Sequence, residues 1–319
     1  MKGRWLILIL ILSFVVAGCS HESQAVRLVL PFRPDVQFAP FYVAMERGYF
    51  SEEGLDVSFE HLPENEAVAL VGAGEAPFAV VSGEQVLLAR AQNFPIVYVL
   101  AWWQDYPVAV AYPKESDIDS IEDLVGKKIG IPGLYGASYI GFRALLSSAG
   151  ISEADTTLDS IGYNQVEAML AGQEDAIVVY ANNEPVQLEA QNFPVELFKV
   201  ADYVHLSSNG LISSESILAD DPDLVRSMVA AILKGIEDTI EDPEGAFEIS
   251  KDFVEGLDQA DQTVMLRVLQ ESVLFWQTEE LGRSNPEAWE NMHDILLEMG
   301  LLEEELDVKD AFSNEFLPK

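Results

Sequence analysis

The side chains that could do chemistry lie where apolar runs meet small residues. Gly130-Ile131-Pro132-Gly133-Leu134-Tyr135-Gly136-Ala137-Ser138-Tyr139 runs from a strand pattern through glycine and proline into a helix pattern. At such a junction backbone N–H groups and a helix start approach a ligand closely, while Tyr135, Ser138 and Tyr139 add stacking and hydrogen bonding. The spacing is not Gly-x-Gly-x-x-Gly, so it is no dinucleotide fingerprint; a plain Gly/Pro turn is the alternative. Asn182-Asn183-Glu184 and Ser82-Gly83-Glu84 occupy equivalent strand-to-helix positions. Each group supplies either a helix cap with a first-turn acid, or amides and a carboxylate for the polar edge of a heterocycle.

Aromatic residues collect at strand ends: Phe32, Phe38, Phe41 and Tyr42 after the first strand, then Trp102, Trp103 and Tyr106. Tyr163, Tyr180 and Tyr203 follow in the second half. Neighbours on a strand face opposite ways, so at least one of Trp102 and Trp103 is expected in a cleft and the other in a core. Catalytic signatures are missing from the sequence. There is no Gly-x-Ser-x-Gly elbow, His21, His61, His205 and His293 lack metal-ligand spacing, and Val125-Gly126-Lys127-Lys128 lacks the earlier glycine of a phosphate loop. A non-enzymatic protein with no metal and no cofactor is expected.

The elements that must position these residues alternate as in α/β chains. Strands are expected at Val26–Leu30, Leu55–Phe59, Phe78–Val81, Ile96–Trp103, Pro107–Tyr112, Lys128–Ile131, Thr157–Ile161, Ala176–Tyr180, Leu197–Val200 and Leu211–Ser213. Helices fill the intervals: Pro40 opens one that Gly48 stops, and Ser120 caps another. Beyond residue 220 the pattern is nearly all helical, with Asp221-Pro222, Asp242-Pro243 and Asn285-Pro286 as cap and first-turn pairs. Two similar lobes with largely parallel sheets follow, one from 26–108 with 206–319 and one from 109–205, their strand ends facing a shared cleft.

Composition narrows the class. The chain has 319 residues, 49% of them hydrophobic, and a formal net charge of −36. Such a surface repels nucleic acid and anionic lipid. Lys2 and Arg4 precede an apolar run, Trp5 to Val16, that falls short of the about 20 residues needed to span a bilayer. Val16-Ala17-Gly18-Cys19 then resembles a bacterial lipobox, and Cys19 is the sole cysteine. Residues 1–18 are expected to be removed, Cys19 to carry lipid at the outer face of the cell membrane, and 19–25 to form a tether. A signal anchor, or a signal peptide with an incidental cysteine, is the alternative.

Longer motifs converge on one family. Gln37-Phe38-Ala39-Pro40-Phe41-Tyr42-Val43-Ala44, Gly48-Tyr49-Phe50, Glu53-Gly54-Leu55-Asp56-Val57 and Ala89-Arg90 belong to the first half. Asp123-Leu124-Val125-Gly126-Lys127-Lys128-Ile129-Gly130, Asn183-Glu184-Pro185 and Val200-Ala201-Asp202-Tyr203 belong to the second. Over residues 26–300 the chain resembles substrate-binding lipoproteins of ABC transporters, in the thiamine-pyrimidine, riboflavin and alkanesulfonate group. The resemblance implies a two-lobed type II periplasmic-binding-protein fold that closes on a small molecule and delivers it to a membrane permease with its ATPase. Cleft-end segments rich in aromatics and amides, with only Arg33 and Arg143 nearby, favour an uncharged planar heterocycle over a sulfonate or nitrate. The vitamin-binding branch fits best, with riboflavin as transported ligand and a thiamine pyrimidine precursor as the alternative. The expected ligand contacts are Phe32, Gln37, Phe38, Tyr42, Ser82, Glu84, Trp102, Trp103, Tyr135, Gly136, Ala137, Ser138, Tyr139, Tyr163, Tyr180, Asn182, Glu184 and Tyr203. Eukaryotic relatives that make the thiamine pyrimidine carry a cysteine-rich segment and an active-site histidine; no such cysteines occur here.

Overall fold

The computed structural model describes residues 23–318; the expected leader and Cys19 lie outside them. Ten strands form: β1 Gln24–Leu30, β2 Leu55–His61, β3 Phe78–Val81, β4 Ile96–Ala101, β5 Val108–Pro113, β6 Lys128–Ile131, β7 Thr157–Ser160, β8 Ala176–Tyr180, β9 Val195–Lys199 and β10 Gly210–Ser214. They make two five-stranded sheets, ordered β2-β1-β3-β10-β4 and β7-β6-β8-β5-β9. In each sheet four strands share a direction and one opposes them. The opposing strand is the one that arrives from the other sheet: β5 follows β4, and β10 follows β9. Both sheets are therefore mixed, and each is entered by an antiparallel strand inserted beside its last parallel one.

Helices cover the sheets. α1 Ala39–Glu46, α2 Tyr49–Glu52, α3 Glu64–Gly72 and α4 Gly83–Ala91 belong with the first sheet; α5 Gly136–Ser148, α6 Gln165–Leu170 and α7 Glu184–Ala190 belong with the second. α8 Glu215–Asp220, α9 Pro222–Glu241, α10 Pro243–Ser250, α11 Gln262–Leu274 and α12 Pro286–Glu298 follow. The proline pairs act as expected. Asp221 accepts from Leu224 N–H, Asp242 from Gly245 N–H and Asn285 from Glu287 N–H, each satisfying a donor that the helix start leaves free. α9 buries Leu224, Val225, Met228, Val229, Ile232 and Ile236 along one stripe. That stripe lies on α1 so closely that a Cβ at Gly235 would sit 2.2 Å from the Pro40 carbonyl oxygen.

Three expectations shift. Gly48 does not merely stop a helix but, at φ +78°, turns the chain into the extra turn α2. The helix expected after Ser120 is a single 3-10 turn, Ile121–Leu124, closed by the reciprocal Ser120 and Asp123 capping box. The strand expected to reach Trp103 ends at Ala101, because the N–H groups of Trp102 and Trp103 both donate to the Asn209 carbonyl. The exposed edge of β4 is covered by the chain end: Tyr98 N–H donates to Ala311 O, Ser313 N–H donates to Tyr98 O, and Phe312 stacks on Trp289 at 5.4 Å.

Candidate functional site

A cavity of about 1010 Å³ lies between the two sheets and is walled by both. Its residues sit on the segments that follow the C-terminal ends of β1, β2, β3, β4, β6, β7 and β8, together with Asn209 just before the opposing strand β10. Mixed sheets expose the last N–H groups and the helix starts of their parallel strands along this edge, which is where open α/β folds hold ligands.

One wall is aromatic. Past Ala101 the strand alternation no longer applies, and both Trp102 and Trp103 border the cavity, each 3% exposed. Trp102 packs edge-on against Phe41 at 4.9 Å and tilted on Phe38 at 5.5 Å; Trp103 meets Tyr180 at 6.2 Å and Trp276 at 5.8 Å. Trp102 Nε1–H is buried with no partner. At the rim Phe32 and Tyr163 touch across the gap between the halves, ring centroids 5.3 Å apart. Phe32 adopts φ +60°, a left-handed conformation that a bulky residue rarely takes outside functional sites. Tyr135, 73% exposed, packs over Gly133, where a Cβ would lie 2.5 Å from its ring.

The polar edge is made of first-turn acids and amides. Glu184 borders the cavity and its carboxylate accepts from the Tyr180 N–H at 2.9 Å, so it caps its own turn while facing inward. Burial pushes its carboxyl up to about 7. Glu64, at the start of α3, accepts from Ser82 Oγ–H and from Asn209 Nδ2–H. Behind it Ser82 also touches Glu84, whose carboxyl is pushed up to about 8 by burial and then by the charge of Glu64. Arg33 is the one cationic residue on the cavity among the described residues, and its guanidinium lies 5.1 Å from the Phe32 ring centroid.

Of the residues expected to meet a ligand, Phe32, Gln37, Phe38, Trp102, Trp103, Tyr135, Gly136, Ala137, Ser138, Tyr163, Tyr180 and Glu184 border the cavity. Six do not. Tyr42 is carried by α1 toward the C-terminal helices and stacks on Phe253 at 4.6 Å. Tyr139 has rotated to the outer side of α5, donating to Glu153 at 2.7 Å and accepting from Arg143, which is thereby also outside the cavity. Tyr203, 48% exposed, follows the Val200–Asp202 turn, away from the cavity wall. Ser82 and Glu84 stand behind Glu64. Asn182 is buried and donates to Gln37 Oε1 at 2.7 Å and Ser272 Oγ at 2.8 Å, tying the β8–α7 turn to α11. Its neighbour Asn183 takes the cavity position instead. Glu64, Asn65, Glu66, Gln85, Gln165 and Asn209 were not expected there. Glu64 had a usable signal, since it starts a helix after a strand as Glu184 does.

Residues 35–246 match the family model described as NMT1/THI5 like. The chain belongs to the NMT1/THI5-like family. A riboflavin-binding protein of Chloroflexus aurantiacus is 38% identical over 303 residues, covering 92% of this chain and 86% of that one. A formylaminopyrimidine-binding protein of Halalkalibacterium halodurans is 28% identical over 332 residues, covering 98% and 99%. Among solved structures, the periplasmic aliphatic sulphonate binding protein of Escherichia coli superposes with a TM-score of 0.74 at 14% identity, over 90% of this chain and 96% of that one. The architecture is thus that of periplasmic binding proteins, as the sequence motifs implied. Among the described residues no helix is long and apolar enough to cross a membrane, and no cluster of histidine, cysteine and carboxylates could hold a metal.

Proposed function

We propose that this protein is the substrate-binding receptor of an ABC importer, that its ligand is riboflavin, and that it delivers the vitamin to a membrane permease worked by an ATPase. The observation that carries the reading is one cavity combining aromatic walls from both halves, amides and carboxylates along one edge, and a single arginine. A sulfonate or nitrate needs several cationic or N–H donors in place of carboxylates, whereas a neutral tricycle gains from stacking and from a few edge hydrogen bonds. The volume, about 1010 Å³, is at the upper end of small-molecule sites and suits a broad ring with a polyol tail better than a single pyrimidine. The similarity to a riboflavin-binding protein supports the same ligand, and both relatives named above are binding proteins rather than enzymes.

Residues 26–108 with 206–319 form one lobe in this reading and 109–205 the other, a division supported by the membership of the two sheets. Two chain crossings, after β4 and before β10, serve as the hinge. Cys19 carries the lipid that holds the receptor on the outer face of the membrane beside its permease. The test is a calorimetric titration with riboflavin, the formylated aminopyrimidine, taurine and nitrate, with visible absorbance of the purified protein as a check for retained flavin. Riboflavin should bind tightest. Binding of the pyrimidine alone moves the assignment to that vitamin precursor, and a preference for taurine or nitrate overturns the neutral-ring reading.

A further inference from the structure

Glu64, Ser82 and Glu84 pose a proton-counting problem. The Ser82 hydroxyl oxygen lies 2.5 Å from Glu64 Oε2 and equally close to Glu84 Oε1, yet a hydroxyl has only one proton to donate. One of the two contacts must therefore run the other way, with a protonated carboxyl donating to Ser82. Glu84 is wholly buried and its second oxygen has no partner, a situation tolerable for a neutral acid and costly for a carboxylate. Glu64 faces the cavity and receives two donors, Ser82 and the Asn209 amide at 3.2 Å. The chain of donation runs Glu84 O–H to Ser82, Ser82 O–H to Glu64. Burial raises both carboxyls, but the donors from Ser82 and Asn209 offset it at Glu64 while one Glu84 oxygen has no donor, so the proton rests at the back and the negative charge at the cavity surface.

We propose that Glu64 is the ligand-orienting acceptor of this cavity, receiving the ring N–H of a cyclic imide, while Ser82 and Glu84 are positioning residues that hold it ionised and aimed. The proposal rests on the flavin reading and deepens it. An imide edge presents one N–H between two carbonyls, so its complement is an anionic acceptor flanked by amide donors. Asn209 keeps a second N–H beyond the one given to Glu64, and the amides of Asn65 and Gln85 line the same wall. An aminopyrimidine edge instead pairs one N–H with one ring-nitrogen acceptor, so beside Glu64 it would use a single flanking amide and leave the second unmatched. The groups facing the acid pair from the other sheet include the phenols of the buried Tyr106 and the half-buried Tyr180, both pushed above their ordinary range, while Arg33, Tyr163 and Glu184 line the same cavity. The Glu84 carboxyl, pushed up to about 8, stays protonated at neutral pH and loses its proton in the alkaline range.

The test is a double-mutant cycle between protein and ligand. Riboflavin and its N3-methyl derivative are titrated into the parent and into Glu64→Ala, with thermal unfolding confirming that the variant is folded. Methylation should weaken binding to the parent by about ten- to a hundredfold, the scale of a hydrogen bond to a charged group. In Glu64→Ala the two ligands should bind within about twofold of each other. An equal methylation penalty in both proteins, or none in the parent, overturns the proposal while leaving flavin binding intact. Failure of the parent to bind riboflavin at all overturns the functional reading and this inference with it. The positioning role has its own readout, the pH profile of riboflavin affinity between pH 6 and 9, below the range where the flavin imide itself ionises. Affinity of the parent should fall as Glu84 ionises near pH 8, and Glu84→Gln should abolish that fall; the same decline in both proteins overturns the role given to Glu84.

Discussion

Glu84 offers a measurement in which burial, charge and stability are tied together. Glu84→Gln keeps the shape of the side chain and removes its titration. In the folded parent the carboxyl titrates at about 8 instead of the ordinary 4.5, first because it is buried and second because Glu64 is charged nearby. Between those values the folded chain holds a proton that the unfolded chain has given up, so stability falls as pH rises. The stabilising contribution is complete below about pH 4.5 and is lost progressively up to about pH 8. One proton corresponds to about 1.4 kcal/mol per pH unit, so between pH 5.5 and 7.5 the parent should lose about 2–3 kcal/mol through this residue alone. The amide that replaces the carboxyl has nothing to titrate, and the variant should gain that amount relative to the parent over the same range. Glu64 and Glu184, both raised in the same direction by burial, titrate in both proteins and largely cancel in the difference. Urea denaturation at pH 5.5, 6.5, 7.5 and 8.5 supplies the comparison. Parallel stability profiles for the two proteins would show that Glu84 is ionised in the fold and would refute the proton count.

Four further outcomes are expected. Gly235→Ala gains about 1 kcal/mol of helix propensity in α9, yet its Cβ meets the Pro40 carbonyl at 2.2 Å, so chemical denaturation should show a net loss of about 1–3 kcal/mol; a stabilised variant would mean that α1 and α9 separate freely. Tyr135→Ala removes an exposed ring and should weaken riboflavin binding by about two- to tenfold in calorimetry while leaving the melting temperature unchanged. Asn182→Ala strands Gln37 and Ser272 and should cost about 1–3 kcal/mol in urea denaturation, a change of a few tenths being too small for a bridge between the halves. Cys19→Ala should block processing and release or strand the precursor, and a variant that is matured and membrane-bound as fully as the parent would remove the anchor.

Much of the frame was legible because each strand is an apolar run closed by glycine, proline or a capping residue. β3, β6 and β8 were expected to the residue, as Phe78–Val81, Lys128–Ile131 and Ala176–Tyr180. Period-two and cap signals are local, and these strands are set by local signals. Trp102 and Trp103 broke the alternation because both their N–H groups are taken by Asn209, more than a hundred residues away, which ends the strand early and leaves both residues on the cavity. No pattern around residue 100 contains that information. Glu64 carried a local signal as a helix-start acid after a strand, but its partners Ser82 and Asn209, 18 and 145 residues distant, are not legible there.

Residue type misled where topology would not have. Tyr42, Tyr139 and Tyr203 were expected in the cleft because they are aromatic and lie near strand ends, but for Tyr42 and Tyr139 a helix turns about 100° per residue and carries the side chain off the edge within two or three positions, while Tyr203 follows a 3-10 turn. Ala137 and Ser138 border the cavity, whereas Tyr139, one step further along α5, binds Glu153 on the outside. Asn182 and Asn183 divide in the same way, one into the joint between the halves and the other into the cavity. Position explains the lining without reference to chemistry: every cavity residue lies at the C-terminal end of a parallel strand or on the segment leaving it, or immediately before β10, whose reversed direction brings its start to that same edge. Three of those segments begin their helices with a glutamate in the first turn, at 64, 84 and 184. The helix start favours the acid and the low polarity of the cleft opposes its charge, so the site's acceptors are built from residues that serve as ordinary helix-start acids elsewhere.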